Sequence, residues 1–536
     1  MSTDFDVAIV GFGPAGATCA NLLGQRGIRT LVIDRSRTVY ELPRAFALDH
    51  EIMRVFQNLH LSDAIAPHTR AFTPSEYYGV EGQLIKRLGS VPPPYPLGWV
   101  PNLVFTQPAV EGVLRRGALQ RPSVTVALGT ELVDLEQDGN SVTLSLSDDA
   151  GERSSVTARF VVGCDGAWST VRSLVGIQYE DLVFDEPWLV IDLLVNEEGR
   201  KKLPEVSIQY CEPARPSTYL VGPDNHRRWE IMVMPGEDRL ELEQEHNVWR
   251  LLSRWLGPQE ATLWRKASYQ FHALVADHWR RGRVFVAGDA AHQQPPFTGQ
   301  GMCQGVRDVT NLSWKLDLVL RGEADDALLD TYTAERKPHV KRLTTVIKDI
   351  GRVICERDPD AARERDARLL REAGGNIRTV PRQDLIPPLE HGCLSPFPHA
   401  ANGTLFPQPS VRRHDGTVLL DELTGAGFRI VLDERFPVPE LDCSHVDIDF
   451  GVICLSKHAG PGSSVHGFPN VQSVEEADGV LARWFERHRC CAAIVRPDHY
   501  VYGVATTPSE LDAQLNALGS ELVTNRVSSQ LVGSPS

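Results

Sequence analysis

The stretch that decides the fold begins Phe5-Asp-Val-Ala-Ile-Val10, continues through Gly11-Phe-Gly13-Pro-Ala-Gly16, and reaches Thr30-Leu-Val-Ile-Asp34. An apolar run of strand length leads into three glycines, and a helix-compatible segment then precedes a second apolar run ending in an acid. This order predicts a strand, a helix and a parallel strand, the unit that opens a doubly wound α/β domain. We therefore predict a Rossmann-type domain at the start of the chain.

The spacing of the three glycines indicates a dinucleotide site. Glycines let the backbone approach a pyrophosphate, whose charge is stabilised by the N-terminus of the following helix. Asp34 follows Gly16 by 18 residues, where it is placed to accept hydrogen bonds from an adenosine ribose. A bare glycine pattern also occurs in tight turns, but the strands, the helix and the terminal acid together favour the dinucleotide site.

Composition and charge exclude other classes of protein. The 536 residues carry 55 Lys and Arg against 70 Asp and Glu, a net charge of −15, whereas a nucleic-acid surface needs clustered cations. Hydrophobic residues make up 42%, which is enough for a core that encloses a cofactor. At about 100–200 residues per domain, the length predicts roughly three structural units.

Targeting and cysteine signals indicate the compartment. No apolar run approaches the ~18 residues of a spanning helix, and Met1-Ser-Thr-Asp4 does not resemble a signal peptide. The ten cysteines are scattered without a C-x-x-C pair, which predicts neither a disulfide scaffold nor a metal site. We expect no membrane partner, no bound metal and a reducing, cytoplasmic compartment.

Periodicity divides the rest of the chain. The β-rich stretch 206–233 predicts a wide antiparallel sheet, and 305–320 has the apolar spacing of a helix. A Pro-, Gly- and His-rich stretch at 380–410 marks a boundary. Strands of a separate small α/β domain are predicted after it, at 429–432, 452–454 and 492–495.

Two further motifs follow apolar strands. The first ends in Asp165-Gly166, after which Ser169 can begin a helix; alone, it indicates only a strand, a turn and a routine cap. The second delivers Asp289 to the carboxyl edge of the sheet, where ligands of open α/β sheets bind. The glycine-rich turn 299–301 then starts the predicted helix, whose free N–H groups would stabilise negative charge on a bound ring.

In their order and separation, the three motifs resemble those of the group A flavoprotein aromatic hydroxylases, the para-hydroxybenzoate hydroxylase type. Supporting matches are Pro43-Arg44-Ala45, Thr106-Gln107-Pro108 and Asn311-Leu-Ser-Trp-Lys315. The resemblance implies an α/β plus α+β fold. A discontinuous FAD-binding domain (1–180 and 270–390) would be interleaved with a substrate sheet domain (181–269, with part of 75–105), and a thioredoxin-like domain (395–536) would follow.

The resemblance also implies which residues contact FAD. The ADP half would be held by Gly11, Gly13, Gly16, Asp34 and Arg35, and the pyrophosphate and ribityl region by Arg44, Gln107 and Asp289. The residues implicated in binding both FAD and NAD(P)H are Asp165 and Gly166. The residues around the flavin ring would be Pro295, Pro296, Gly299, Gly301, Met302 and Cys303. The chain departs from the family pattern where Cys303 stands for Asn and Ala47 for Gly.

The activity that the resemblance implies is hydroxylation of a substituted phenol. The resemblance implies that NADPH or NADH would reduce FAD, and that the reduced flavin would react with O₂ to form a C4a-hydroperoxide that transfers the hydroxyl group. The general base is left open by the sequence. Candidate catalytic or substrate-contacting residues are His292, Pro295, Arg215 and Tyr219, with Tyr210, His226 and Arg228 on the same β-rich block.

Three alternatives remain at this point. The same motifs suit a tailoring oxygenase for a polycyclic aromatic natural product, or the oxidative removal of a nitro or carboxyl group from a ring. Cys303 also leaves open a non-catalytic FAD-binding redox sensor. The sequence does not determine the phenol, the ring position or the choice between NADH and NADPH, and a homodimer is expected only from the resemblance.

Overall fold

A computed structural model describes residues 3–413, 416–436, 450–455 and 471–523. Two features considered in the sequence lie outside these ranges. They are Cys443, which is one of the ten cysteines, and the first two residues, which belong to the N-terminal stretch compared with a signal peptide. The nine cysteines inside them are free thiols. No helix within them combines the length and the apolar character that crossing a bilayer requires.

The first sheet has eight strands around a parallel core. Phe5–Val10 lies between Thr30–Asp34 and Arg153–Gly163 and pairs in parallel with both. Its last four residues are almost fully buried, as expected where helices cover both faces of a parallel sheet. The other strands are Val124–Leu128, Thr130–Gln137, Val142–Asp148, Arg280–Arg281 and Val284–Val286.

Three helices pack beside this sheet. Pro14–Gln25 follows the first strand and contacts both Gln107–Leu119 and Gly301–Arg321. The predicted strand, helix and parallel strand are confirmed, and the helix predicted at 305–320 lies within Gly301–Arg321. The carboxyl ends of the parallel strands therefore meet the N-termini of two helices at one edge.

The second sheet has nine strands and is largely antiparallel. Tyr179–Val195 and Ala261–Ala276 are long central strands that pair with each other, and they extend beyond the range 181–269 expected for this unit. The remaining strands are Ser75–Tyr78, Leu84–Gly89, Ser207–Tyr210, Ser217–Val221, His226–Met232, His292–Gln293 and Thr379–Pro381. The antiparallel sheet predicted at 206–233 is confirmed as three of these strands.

The C-terminal unit contains a five-stranded mixed sheet. Phe428–Leu432 is central, with Phe450–Leu455 parallel to it on one side and Ala492–Val495 antiparallel on the other. Val471–Val474 and Val501–Ala505 form the edges. The three strands predicted for this unit are confirmed, and its assignment as a thioredoxin-like domain stays a prediction.

Smaller elements complete the described ranges. Two small sheets are formed by Ala47–Asp49, Thr69–Ala71 and Asn102–Phe105, and by Ser410–Arg413 and Gly416–Leu419. The other α-helices are His50–Asn58, Ser62–Ile65, Thr170–Leu174, Glu197–Lys202, Arg239–Leu242, Glu245–Leu252, Asp330–Cys355, Pro359–Glu372, Leu420–Thr424, Val480–His488 and Pro508–Leu522. Short 3₁₀ helices are Ala66–His68, Gly288–Ala290, Asp326–Leu329 and Arg382–Leu385.

Candidate active site

A cavity of about 990 Å³ lies between the carboxyl edge of the parallel sheet and the nine-stranded sheet. This volume is at the upper end of ordinary ligand pockets. All three sequence motifs contribute to its wall. The predicted residues that line it are Gly11, Gly13, Asp34, Arg35, Arg44, Gln107, Asp165, Gly166, Arg228, Asp289, His292, Pro296, Gly299, Gly301 and Met302.

The glycines of the first motif have different structural roles. A Cβ at Gly16 would lie 1.9 Å from the Gly11 carbonyl oxygen, so the helix can pack against the turn only with glycine there. A Cβ at Gly13 would meet nothing within 4 Å, and this residue caps Pro14–Gln25 without a side-chain hydrogen bond. The free N–H groups of the helix therefore open onto the cavity, as an anion site requires.

Asp34 is held at the end of its strand by backbone groups. Its Oδ2 accepts a hydrogen bond from the Phe12 N–H at 2.6 Å, and its Oδ1 accepts one from the Ser36 N–H at 2.7 Å. Nearby, Gln107 Oε1 accepts from the N–H groups of Arg44 and Ala45 at 2.9 and 2.6 Å. Gln107 thus fixes the segment that carries Arg44 into the cavity wall.

Asp165 acts as a helix cap and also lines the cavity. Its carboxylate accepts hydrogen bonds from Ser169 Oγ at 2.5 Å and from the Val171 N–H at 3.0 Å. The structure therefore confirms the strand, turn and capped helix that the motif alone indicates. Burial raises the pKa of Asp165.

A hydrogen-bonded chain links the second and third motifs. Arg172 Nη1 donates to the Tyr179 hydroxyl at 2.7 Å, and that hydroxyl donates to the Asp289 carbonyl oxygen at 2.7 Å. Arg172 also contacts the Ala290 carbonyl oxygen at 3.2 Å. The two strand ends are thereby fixed in relation to each other.

The Asp289 carboxylate is directed into the cavity. Its side chain is open to the cavity, and no hydrogen bond to its carboxylate is formed by residues in the described ranges. Surrounding protein nevertheless desolvates it, and this burial raises its pKa. An acid in this state is suited to a ligand that brings hydroxyl groups.

His292 is held by its neighbours. Its Nε2 lies 2.7 Å from Asp308 Oδ2, and its ring stacks against Trp279 at a centroid distance of 5.4 Å. Asp308 is itself bound to Arg336 at 2.9 Å. The Nδ1 atom of His292 is buried without a protein partner in the described part of the chain, so one ring nitrogen remains for a ligand.

The turn before Gly301–Arg321 brings the helix N-terminus to the cavity. Gln300 caps this helix without a side-chain hydrogen bond, and a Cβ at Gly301 would meet nothing within 4 Å. Gly299 has φ +69°, and a Cβ there would lie 2.7 Å from the Ala47 Cβ. Cys303 Sγ lies 3.8 Å from the Ala47 carbonyl oxygen, so the two departures from the family pattern contact each other.

Seven predicted residues do not line the cavity: Gly16, Pro295, Cys303, Arg215, Tyr219, Tyr210 and His226. Gly16 and Cys303 lie in the packing behind its wall, as described above. Arg215 is instead paired with Glu237 at 2.5 and 2.8 Å and donates to the Met232 carbonyl oxygen. It is therefore not available to a substrate carboxylate.

Tyr219 faces away from the cavity because side chains alternate along a strand. Its neighbours Thr218 and Leu220 line the cavity, so Tyr219 lies on the opposite face of the sheet. There its hydroxyl donates to the Pro204 carbonyl oxygen at 2.9 Å and its ring packs on Trp229. The expectation that Tyr219 reaches the substrate is not met.

Sequence reasoning missed several polar residues of the cavity wall. They are Gln209, Thr218, Glu230, Arg265, Tyr269, Gln294 and Arg382. The alternation of His226, Arg228 and Glu230 along one strand was a usable signal, because buried polar residues on one face of a sheet indicate a site. No comparable pattern in the sequence indicated how the strands that carry Gln209 and Arg265 are placed in the sheet relative to this strand.

Charges on this wall are centred on Asp192. Arg228 binds it through Nε at 2.7 Å, His226 Nε2 lies 2.7 Å away, and Arg265 Nη1 approaches at 3.3 Å. Burial opposes ionisation of Asp192, but Arg228 and His226 outweigh it and lower the pKa to about 2. By contrast, burial raises the pKa of Glu230 to about 7.

The residues present fit FAD. The cavity has two helix N-termini without side-chain caps, and an unpartnered Asp289 carboxylate opens onto the same cavity. Both amide atoms of Gln294 and the Thr298 hydroxyl are also buried without protein partners in the described ranges. Buried polar atoms of this kind require a ligand or ordered water.

Comparison with known proteins gives consistent results. Residues 4–346 match the family described as FAD binding domain, and residues 403–521 match the HcaD C-terminal domain. A probable NADH-specific resorcinol 4-hydroxylase of Rhodococcus jostii is 36% identical over 522 residues, covering 94% of this chain and 93% of that protein. A 3-(3-hydroxy-phenyl)propionate/3-hydroxycinnamic acid hydroxylase of Mycobacterium sp. strain JLS is 34% identical over 517 residues, covering 94% and 89%.

Solved structures share the fold. The flavin-dependent monooxygenase PieE, in complex with FAD and substrate, matches with a TM-score of 0.79 and 21% identity over 97% of this chain and 100% of that one. Aklavinone-11 hydroxylase, in a ternary complex with FAD and aklavinone, matches with a TM-score of 0.78 and 20% identity, covering 97% and 99%.

Proposed function

The chain belongs to the FAD-dependent aromatic hydroxylases, and from this premise we propose that it hydroxylates a phenol substituted meta to its hydroxyl group, with resorcinol as the first candidate. The names of the relatives share this chemistry. Resorcinol carries a second hydroxyl at the meta position, and 3-(3-hydroxyphenyl)propionate carries a side chain there. One observation carries the proposal: a single cavity joins the three flavin motifs to a polar wall of the nine-stranded sheet.

Bound FAD supplies the redox chemistry that side chains cannot, namely reduction by a nicotinamide and activation of O₂. We propose NADH as the reductant, since the resorcinol relative is named as NADH-specific. The nine free thiols in the described ranges support a reducing, cytoplasmic compartment.

The chain's own residues would bind and orient the cofactor. The N-terminus of Pro14–Gln25 would hold the pyrophosphate, Asp34 the ribose and Asp289 the ribityl hydroxyls. The N-terminus of Gly301–Arg321 would stabilise negative charge on the ring. The two helix N-termini and the Asp289 carboxylate face the cavity without a side-chain hydrogen bond in the described ranges. Asp34 also lines the cavity, although its oxygens accept two backbone hydrogen bonds and its Oδ2 lies 4.0 Å from Arg115 Nη2.

An aromatic cluster would exclude water from the reacting ring. Phe271 and Phe297 line the cavity, and both contact Trp188, at centroid distances of 5.8 and 5.7 Å. All three side chains are at least 91% buried. Excluding water protects a reactive oxidant from unproductive decay.

The other functions considered from the sequence are not favoured. The relatives with 33–36% identity are named for monocyclic phenols. The flavin-dependent monooxygenase PieE, aklavinone-11 hydroxylase and a p-nitrophenol 4-monooxygenase are only 20–24% identical, which supports a common fold alone. Cys303 is fully buried and burial raises its pKa, so its thiol is unsuited to redox sensing.

A panel of phenols tests the proposal. Resorcinol, 3-(3-hydroxyphenyl)propionate, 4-nitrophenol and a polycyclic phenol would each be assayed for stimulation of NADH and NADPH oxidation, with peroxide measured in parallel. We expect the largest stimulation and the least peroxide with a meta-substituted phenol. Stimulation by none of the monocyclic phenols would contradict the proposal.

Arg382 favours a second candidate substrate, a phenol whose side chain carries a carboxylate, such as 3-(3-hydroxyphenyl)propionate. Its guanidinium is buried on the cavity wall and contacts Ser75 Oγ at 2.5 Å and the Thr298 carbonyl oxygen at 3.4 Å. No carboxylate in the described ranges pairs with it, and its Nε has no partner there. A buried cation in this state is suited to a substrate carboxylate.

Arg382→Met separates the two candidates. If a substrate carboxylate pairs with Arg382, the KM for 3-(3-hydroxyphenyl)propionate should rise by about 10–100-fold, the loss of one charged hydrogen bond. The KM for resorcinol should change less than about threefold. Arg281→Met, which removes an exposed arginine outside the cavity, is the control. Equal effects on both substrates would exclude a carboxylate-binding role.

A further inference from the structure

Glu230 is a buried carboxylate that faces the cavity without a partner. It lies on strand His226–Met232, is 4% exposed and lines the cavity. Among the described residues, none forms a hydrogen bond or an ion pair with its carboxylate. A buried acid without a partner is costly to keep, and such exceptions occur at functional sites.

The nearest cation on the same strand, Arg228, already has its hydrogen-bond donors bonded to other groups. Arg228 binds both Asp192 oxygens at 2.7 and 3.1 Å. Its remaining donors are bonded to the carbonyl oxygens of Arg44 and Pro43 at 2.9 and 3.0 Å. Arg228 therefore lowers the pKa of Glu230 only through space, as a nearby positive charge, and makes no hydrogen bond to it.

The strand Ala261–Ala276, which pairs with the strand that carries Asp192, provides a second arginine whose charge is already paired. Arg265 contacts Asp192 at 3.3 Å and the hydroxyl of Tyr269. Burial keeps the pKa of His226 below its ordinary value, so this histidine is neutral near pH 7.

These charges leave room for one ionised acid. The charges that act on Glu230 are those of Arg228, Arg265 and Asp192, and together they give this cluster a net charge of plus one. Ionised Glu230 neutralises the cluster, whereas protonated Glu230 leaves it positive. Burial raises the pKa of Glu230 to about 7, with Arg228 opposing, so the two forms interconvert near neutral pH.

Polar groups lie beside Glu230 in the sheet register. Thr218 pairs with Glu230 across one pair of strands, and Gln209 pairs with Thr218 across the next. Thr218 Oγ1 donates to Gln209 Oε1 at 2.5 Å, which leaves the Gln209 amide nitrogen as a donor at the cavity wall. An acceptor and a donor thus lie in one row, as a bound hydroxyl group requires.

We propose that Glu230 is a catalytic base that accepts the proton of the substrate's ring hydroxyl; this assignment rests on the proposed phenol hydroxylation. The O–H bond of the phenol breaks and a new O–H bond forms on the carboxylate. The electron pair stays on the phenol oxygen, and no group is oxidised or reduced in this step. The added electron density at the ortho and para carbons favours attack by an electrophilic oxygen.

Glu230 is better suited to this role than the histidine predicted from the sequence. The Nε2 atom of His292 is taken by Asp308 at 2.7 Å, and its ring is fixed against Trp279. An ordinary glutamate has a pKa of about 4.3 and a phenol about 10, so a carboxylate near 7 is the closer match for proton transfer.

Glu230→Gln tests the assignment, because glutamine keeps the shape and cannot take the proton. We expect kcat/KM for resorcinol to fall by about 10²–10⁴-fold. In the wild type, kcat/KM should rise with pH through an apparent pKa near 7, because the ionised form is the active one. This limb should be absent from the variant. An ultraviolet difference spectrum should detect bound phenolate in the wild type and neutral phenol in the variant.

Glu186→Gln is the matched control. Glu186 lies on the adjacent long strand of the same sheet, and burial also raises its pKa, but it does not line the cavity. This control should keep the wild-type rate and pH profile. Glu230→Asp, a conservative variant that retains a carboxylate, should recover part of the rate and the pH limb.

The outcomes separate the two proposals. FAD content and circular dichroism establish that each variant is folded and loaded. If Glu230→Gln turns over resorcinol within about threefold of the wild type and keeps the pH limb, the assignment of Glu230 is wrong and the hydroxylase function stands. If the wild type turns over no phenol, the proposed function is wrong and the assignment falls with it.

Discussion

Asp289 is the residue on which the placement of the cofactor depends most. Its carboxylate is open to the cavity, is desolvated by surrounding protein, and has no hydrogen-bond partner in the described ranges. Its backbone, by contrast, is fixed through Tyr179 and Arg172. A fixed backbone that carries a free carboxylate is a preorganised site for ligand hydroxyl groups.

Asp289→Ala should weaken FAD binding by about 10–100-fold, the cost of losing a charged hydrogen bond. The measurement is the FAD content of the purified protein, followed by titration of the apoprotein with FAD. Asp149→Ala removes an exposed acid that pairs with Arg37 and should leave FAD binding unchanged. Full FAD occupancy in Asp289→Ala would show that the ribityl chain lies elsewhere.

At the scale of elements, the first helix depends on two glycines for two different reasons. Gly16 has no room for a Cβ, since the Gly11 carbonyl oxygen would lie 1.9 Å away. Gly13 has room and an ordinary φ of −68°, so glycine is not required there for the fold itself. The need for glycine at position 13 would come from the close approach of the bound ligand to the backbone.

A pair of variants separates these roles. Gly16→Ala should lower the free energy of unfolding of the apoprotein by about 1–3 kcal/mol, because the clash is with backbone. Gly13→Ala should leave that free energy unchanged and weaken FAD binding, because a methyl group would stand between the backbone and the pyrophosphate. Urea unfolding without FAD and titration with FAD measure the two effects. Equal destabilisation of the apoprotein by both variants would contradict this account.

The elements that touch the proposed cofactor were predictable from local sequence. Each of the three motifs is a strand that ends in a glycine or an acid, and parallel strands bring their carboxyl ends to one edge. Their convergence on one cavity follows from that rule alone. The helix Gly301–Arg321 was predictable as well, from its apolar spacing.

The substrate wall was not predictable in the same way. Its residues come from strands whose pairing depends on long-range register, so Glu230, Thr218 and Gln209 lie in one row across three strands with no signal in their sequence separation. Tyr219 faces away because a strand alternates, and a one-residue difference decides which side chain enters the cavity. Arg382 reaches the wall from a short 3₁₀ helix far along the chain.

At the scale of the whole molecule, buried ion pairs join the C-terminal unit to the rest of the chain. Arg54 binds Asp421 at 2.6 Å, and Arg496 binds Glu335 at 2.7 Å. All four side chains are fully buried. Breaking one such pair is costly because it leaves a charge that has lost its water and its partner.

Arg496→Met should lower the free energy of unfolding by about 3–5 kcal/mol, because Glu335 and Asp498 lose a shared cation. Arg352→Met breaks an exposed pair with Asp349 and should cost less than about 1 kcal/mol. Denaturant unfolding of both variants measures the difference. Similar small costs in both would mean that the buried pairs do not hold the C-terminal unit in place.

The central claim is that the chain uses O₂ and FAD to hydroxylate a meta-substituted phenol. The most direct measurement is turnover of resorcinol by the FAD-loaded protein with NADH under isotopically labelled O₂, with the product analysed by mass spectrometry. We predict a product that contains one labelled oxygen atom, formed in step with NADH oxidation. NADH oxidation that yields only labelled peroxide and unchanged resorcinol, with every other phenol of the panel also unchanged, would contradict the claim.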